Sequence, residues 1–148
     1  MTLQGNCLCG VVRYEPDQLA MPVAHRHCAA CRKAHAAANI SAAGVMRGHF
    51  RCTAGTERLA TSELSAGKLR RRFCSACGSH LLAERPGRPH VMLRVATLDD
   101  DPGKRPAMHI WTSYDELWLT DREDVPLTLN GNAVTNPAQF SNSARKSE

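Results

Sequence analysis

A mainly β domain of short strands, closed by a structural metal site, is the fold class this sequence predicts, on three observations. Seven of its 148 residues are cysteines, six of them in pairs with one or two residues between. Short runs rich in Val, Tyr and Phe are separated by Pro, Gly and Asp clusters, whereas apolar periodicity near 3.6 is poor throughout. Only seven residues are aromatic, so the core leans on Leu, Val, Ala and a further source of stability.

Taken in order, Val11–Glu15, Leu69–Phe73 and His90–Val95 read as strands. Turns are signalled at Pro16-Asp17, Gly55-Thr56, Arg85-Pro86-Gly87 and Asp99 to Gly103, where proline fixes φ or glycine lets it turn positive. One short helix is expected after Cys31, through Arg32 and Lys33 into the alanines. From Thr128 the composition shifts to Asn, Ser, Thr, Gly and Pro, too poor in apolar surface to offset the entropy of ordering. The expected organisation is therefore one domain over residues 1–127 and a polar tail over 128–148.

Composition also excludes classes of function. No run of eighteen apolar residues is present, so no membrane-spanning helix is expected. The N-terminus has neither a basic region nor an apolar run, which makes the cytoplasm the expected compartment and disulfide pairing of an odd cysteine count the poorer explanation. The formal charge of +5 suggests an acidic partner. Four metal-bound thiolates and one divalent ion change that balance by −2, to +3, which is unremarkable. The dense basic stretch Lys68 to Arg72 lacks interleaved aromatics, so it reads as a solvated strand end or a neighbour of thiolates, and no nucleic-acid partner is expected.

The metal site follows from spacing. Zinc takes four soft ligands in a tetrahedron at about 2.3 Å, and a cysteine pair with one or two intervening residues supplies two from a single tight turn. Cys7 with Cys9, and Cys74 with Cys77, form two such turns, each followed by glycine (Gly10, Gly78). The rival reading is buried small hydrophobes or a redox dithiol. One structural zinc is expected here, and metal binding in small zinc modules contributes on the order of 10 kcal/mol to folding. Cys28 and Cys31 form a third pair, beside His25 and His27. Two sulfurs and one imidazole leave a fourth position open, the arrangement of a catalytic zinc; the same residues also suit a structural or an empty site. Cys52 reads as a strand residue, and His35, His80 and His90 as ordinary surface or core histidines.

These residues resemble the glutathione-dependent formaldehyde-activating enzyme family, whose relatives include centromere protein V. The likeness runs through Gly5 to Tyr14, Cys28-Ala29-Ala30-Cys31-Arg32-Lys33, Arg72 to Ser79, Thr97 to Asp100, and Pro106, His109, Ile110 and Trp118. It implies small coiled β-sheets of short antiparallel strands built around a structural zinc held by Cys7, Cys9, Cys74 and Cys77. It also implies a second zinc in a Cys-x-Cys-x-x-Cys segment at the glutathione site. This sequence departs there: Arg26 stands at the first cysteine and cannot ligate, because guanidinium stays protonated. A second zinc would need a substitute such as His27 beside Cys28 and Cys31. Ala36 stands where the family has glycine.

The activity so implied is that of a carbon–sulfur lyase adding glutathione or a similar thiol to formaldehyde or another small aldehyde. Cys28 and Cys31 would be the catalytic residues, and Arg26, Arg32 and Lys33 would hold a substrate carboxylate. The alternative is a non-catalytic, zinc-stabilised β module that binds a small thiol or a partner protein, a reading that Arg26 favours.

Overall fold

Two β-sheets pack on one core in the computed structural model, which describes residues 2–64 and 67–119. Strands β1 (Gly5–Asn6), β2 (Arg13–Pro16) and β5 (Phe50–Ala54) form the smaller sheet in the order β1-β2-β5. The larger sheet contains β3 (Val23–Arg26), β4 (Ile40–Met46), β6 (Leu59–Glu63), β7 (Arg70–Cys74), β8 (His80–Glu84), β9 (His90–Arg94) and β10 (Pro106–Ile110). Its order is β10-β3-β4-β9-β8-β7-β6, antiparallel except that β10 runs parallel to β3. The expected mainly β fold of short antiparallel strands is thus present, with the parallel edge pairing as its exception. The strands foreseen at Val11, Leu69 and His90 exist, displaced by one or two residues at their ends. The tail expected from Thr128 lies outside the described residues.

Strand alternation explains the core. Val12 and Tyr14 point inward from the smaller sheet and meet Ala43, Val45, Leu82, Val91 and Leu93 from the larger one. Tyr14 is 1% exposed and stacks on Phe50 with ring centroids 5.3 Å apart. Its hydroxyl donates to Thr97 Oγ1 at 2.6 Å, leaving the Thr97 hydroxyl to donate to the Arg94 carbonyl at 2.8 Å. Burial therefore pushes the Tyr14 phenol up to about 12. Gly5 is opposite Tyr14 in the β1–β2 register, and a Cβ there would fall 2.4 Å from the Tyr14 ring.

Helix α1 (Ala29–His35) begins two residues before Cys31, earlier than the sequence suggested. Cys28 is the reason: its Sγ accepts the Cys31 N–H at 3.3 Å, a cap that a Ser or Asp usually supplies. Arg32 and Lys33 place positive charge in the last turn, where the helix dipole favours it. Ala36 ends the helix in a left-handed conformation, φ 49°, sending its N–H to the Arg32 carbonyl.

The basic stretch before Cys74 does not behave as one solvated end. Arg70 faces Glu63 at 3.5 Å and Arg72 faces Glu84 at 3.2 Å, while Arg71, on the other face, is 5% exposed. Alternation along β7 separates three consecutive arginines onto two faces. No helix among the described residues is long and apolar enough to cross a membrane.

Candidate functional site

The cysteines near the N-terminus, Cys7 and Cys9, converge with Cys74 and Cys77 from the middle of the domain. Their Sγ atoms all lie within 4.8 Å of one another, with Cys7 to Cys9 at 3.5 Å and Cys9 to Cys74 at 3.9 Å. A tetrahedron with bonds of about 2.3 Å has sulfur–sulfur edges of about 3.8 Å, which these separations bracket. Two tight turns aim the sulfurs. Gly10 N–H returns to the Cys7 carbonyl at 2.9 Å, and Gly78 N–H to the Cys74 carbonyl at 2.8 Å. Both glycines have positive φ, 74° and 79°, with open space around the missing Cβ, so conformation rather than room requires them.

The surroundings favour thiolates. Val12 N–H donates to Cys7 Sγ at 3.3 Å. Ser79 Oγ accepts the Leu8 N–H at 2.9 Å, so its own hydrogen is available to Cys77 Sγ, 3.3 Å away. The Ser79 hydroxyl and then its N–H hold the Cys77 thiol down to about 5. Burial alone would raise Cys7, but the Val12 N–H and its sulfur neighbours outweigh that and lower it. Cys9 moves the other way, to about 11: the Val11 N–H pulls it down, and the adjacent Cys7 sulfur and burial overcome that pull. Crowded thiols thus share protons unequally, which a bound dication would displace. The group can hold a metal ion, with Cys7 and Cys74 fully buried, Cys77 half-buried and Cys9 exposed.

The second locus lies where β3 runs into α1. Cys28 and Cys31 are joined as a disulfide, with Cα atoms 5.2 Å apart. His27 turns away from them. Its Nδ1 lies 2.6 Å from Asp115 Oδ1 and its Nε2 lies 2.9 Å from His109 Nδ1. His25 continues the group, with its ring 4.9 Å from that of His109 and its Nδ1 2.9 Å from Ser41 Oγ. A carboxylate only accepts, so His27 Nδ1–H donates to Asp115; with both rings neutral, His27 Nε2 then accepts from His109 Nδ1–H. The His109 Nε2 lone pair is left as the free end of this chain.

A cavity of about 230 Å³ is lined by His27, Arg32, Asn39, His109, Asp115 and Glu116, among others. Arg32 Nη2 meets Glu116 Oε1 at 3.1 Å, and its buried Nε has no protein partner. The predicted substrate-binding residues therefore separate. Arg32 lines this cavity and shares a second, more open one with exposed Lys33, whereas Arg26 lines a different cavity. The three residues offered for a second metal do not converge as ligands: Cys28 and Cys31 bond to each other, and both His27 nitrogens are engaged. Asp115 and Glu116 carried no signal in the sequence, and His109 entered only through the resemblance.

A family model described as glutathione-dependent formaldehyde-activating enzyme matches residues 2–114. No curated protein matches the chain. A crystal structure of a Rhodobacter sphaeroides protein, determined as a structural-genomics target, shares 21% identity with a TM-score of 0.56. The alignment covers 72% of this chain and 99% of that one, and at this identity it speaks to the fold alone.

Proposed function

The chain belongs to the glutathione-dependent formaldehyde-activating enzyme family, and from that premise we propose that it adds glutathione or a similar thiol to formaldehyde or another small aldehyde, as a carbon–sulfur lyase running in either direction. The observation that carries this reading is the Asp115–His27–His109 chain ending in the cavity that Arg32 lines. Zinc is the metal proposed for Cys7, Cys9, Cys74 and Cys77, because four thiolates in a tetrahedron are its preferred structural set. Its role is to hold the scaffold.

The chemistry needs one proton moved. His109 Nε2 takes the proton from the substrate thiol, the thiolate sulfur bonds to the aldehyde carbon, and the carbonyl π electrons go to oxygen. That oxygen then takes the proton back from His109, giving the hydroxyalkyl thioether. His27 and Asp115 stabilise the imidazolium formed in between, and Arg32 receives a substrate carboxylate. No step passes through a second metal, since the residues at the Cys28 locus do not present the ligands for one. Cys28 and Cys31 enter as the pair that caps and fixes α1, and hence Arg32.

A second reading is favoured by Arg26 and by the Cys28–Cys31 disulfide: a non-catalytic β module that binds a small thiol. NMR exchange spectroscopy of formaldehyde with glutathione separates the two. Catalysis predicts exchange accelerated in proportion to protein concentration and restored to the unaided rate by His109→Ala. Saturable glutathione binding with no change in exchange rate would leave the binding module alone.

A further inference from the structure

The outer face of the larger sheet carries an uncompensated group of arginines. Register places them together: Arg94 pairs with Ala42 and Ala42 with Ala24, while Met92 pairs with Ala83 and Ala83 with Arg71. Residues two apart on a strand share a face, so Arg26, Arg71, His90, Met92 and Arg94 all point to this side. Leu69, Ala83 and Met92 supply its apolar floor. A cavity of about 260 Å³ opens here, walled by Arg26, Arg85, Arg88, His90 and Arg94.

Among the described residues no carboxylate pairs with Arg26, Arg71, Arg85, Arg88 or Arg94. Glu84, the acid of this hairpin, belongs to the opposite face, where Arg47 and Arg72 take it. Arg94 is 7% exposed and gives Nε–H to His35 Nε2 at 3.0 Å and Nη1–H to the Met92 carbonyl at 3.3 Å, both neutral acceptors. The two rim arginines are presented by an ordered turn. Arg88 N–H closes on the Arg85 carbonyl, and the Arg47 guanidinium donates to both the Arg85 and Arg88 carbonyls, at 3.1 and 2.8 Å. Several guanidinium groups gathered around a concave apolar floor without a counter-charge are the arrangement that a compact, multiply charged oxyanion completes.

We propose that Arg26, Arg85, Arg88, His90 and Arg94 form a binding site for a small molecule bearing a dianionic phosphoryl group. Arg26 and His27 are consecutive, so alternation sends Arg26 to this cavity and His27 to the Cys28 side, and the site is independent of the thiol chemistry proposed there. The substitution that removes the family's first cysteine thereby supplies one wall of the new site. Buried Arg94 is the inner contact, and Arg85 and Arg88 close on the anion from the rim.

The test is calorimetric and NMR titration of the full chain with inorganic phosphate, phenyl phosphate and succinate at low and moderate salt, following arginine Nε–H signals. The expected result is saturable one-site binding of the phosphates, tighter than succinate by at least threefold, with Arg94 and Arg26 signals shifting together. Arg26→Met and the exposed pair Arg85→Ser/Arg88→Ser should each weaken it at least tenfold without moving the melting temperature by more than about 2 °C, and the Arg85→Ser/Arg88→Ser pair should do so without altering thiol–aldehyde exchange. Linear, non-saturating shifts equal in the variants would overturn the proposal, as would preferential succinate binding. Tight binding of an oligonucleotide with none of phenyl phosphate would overturn it in favour of a macromolecular partner.

Discussion

Cys9 and Cys74, 65 positions apart, bring their sulfurs to 3.9 Å, so the turn after β1 is tied to the end of β7. Such closure ties the N-terminal strand to the middle of the chain at one point, and a bound dication adds its binding free energy to folding. Cys74→Ser, at a fully buried ligand, should therefore abolish stoichiometric metal and remove most of the domain's stability, on the order of 5 kcal/mol or more. Metal analysis beside a thermal melt checks this. A variant that keeps one metal equivalent and its melting temperature would show that the site is not structural.

Gly5→Ala tests the close approach of β1 to Tyr14. The added methyl would stand 2.4 Å from the ring and 2.7 Å from the Thr97 carbonyl. Both neighbours are fixed, Tyr14 by its stack on Phe50 and its bond to Thr97. Overpacking without room to shift costs about 2–3 kcal/mol. Tyr14→Phe, which removes only the hydroxyl bond, should cost about 1 kcal/mol in the same urea titration.

Ala36 holds a left-handed backbone at φ 49°, a position where an L side chain clashes with the following carbonyl. Ala36→Gly should stabilise the domain by about 1 kcal/mol, measured by chemical denaturation with unchanged slope. The departure from the family's glycine is thus a local cost at the end of α1, and an unchanged midpoint would mean the turn is relaxed in solution.

Glu84 supplies the acid-sensitive contact. Its side chain is 13% exposed, and burial alone would raise its pKa, but the Arg47 guanidinium, and then that of Arg72, hold it below the usual carboxylate range. A carboxyl with a lower pKa in the folded than in the unfolded chain contributes stability above the unfolded value of about 4.3, and that contribution is lost as pH falls through the folded value. Glu84→Gln should cost about 2 kcal/mol at pH 7, with the gap to the parent closing below pH of about 4. A gap that stays constant to pH 3 would show that shape, rather than charge, sets the cost.

What the sequence made legible was whatever is encoded at short range. Paired cysteines with one or two residues between them announce a metal turn because the geometry is local, and β2, β7 and β9 announce themselves as short runs with Val, Tyr or Phe set between turn residues. The start of α1 was hidden because cysteine is not a usual cap. The burial of Arg71 was hidden inside a run of like charges, where only the paired strand reveals which arginine turns inward. Arg26, Arg32 and Lys33 looked like one basic cluster and are divided by a strand face and a helix. The partners of His27 lie 82 and 88 positions away, across the parallel pairing of β10 with β3, which no local pattern specifies.

That pairing makes the most demanding prediction. The β10–β3 register sets His109 against His25, and the backbone bond from His27 N–H to the Ile110 carbonyl at 3.0 Å carries the alignment one residue further. If His109 Nε2 is the base, its strength depends on His27 and Asp115 behind it. Asp115→Asn removes the charge that stabilises the imidazolium while leaving an acceptor for His27 Nδ1–H, and should lower the protein-dependent rate of thiol–aldehyde exchange about tenfold to a hundredfold. The same change should displace the rising limb of the pH–rate profile toward lower pH, because a less stabilised imidazolium gives up its proton at lower pH, and the weaker base lowers the plateau. His109→Gln, which cannot take the proton, should remove the protein-dependent rate and leave only the pH dependence of the unaided reaction, which follows ionisation of the thiol itself. Melting temperatures of both variants within about 2 °C of the parent would keep these effects in the chemistry, and an Asp115→Asn profile superimposable on the parent's would remove Asp115 and His27 from the mechanism.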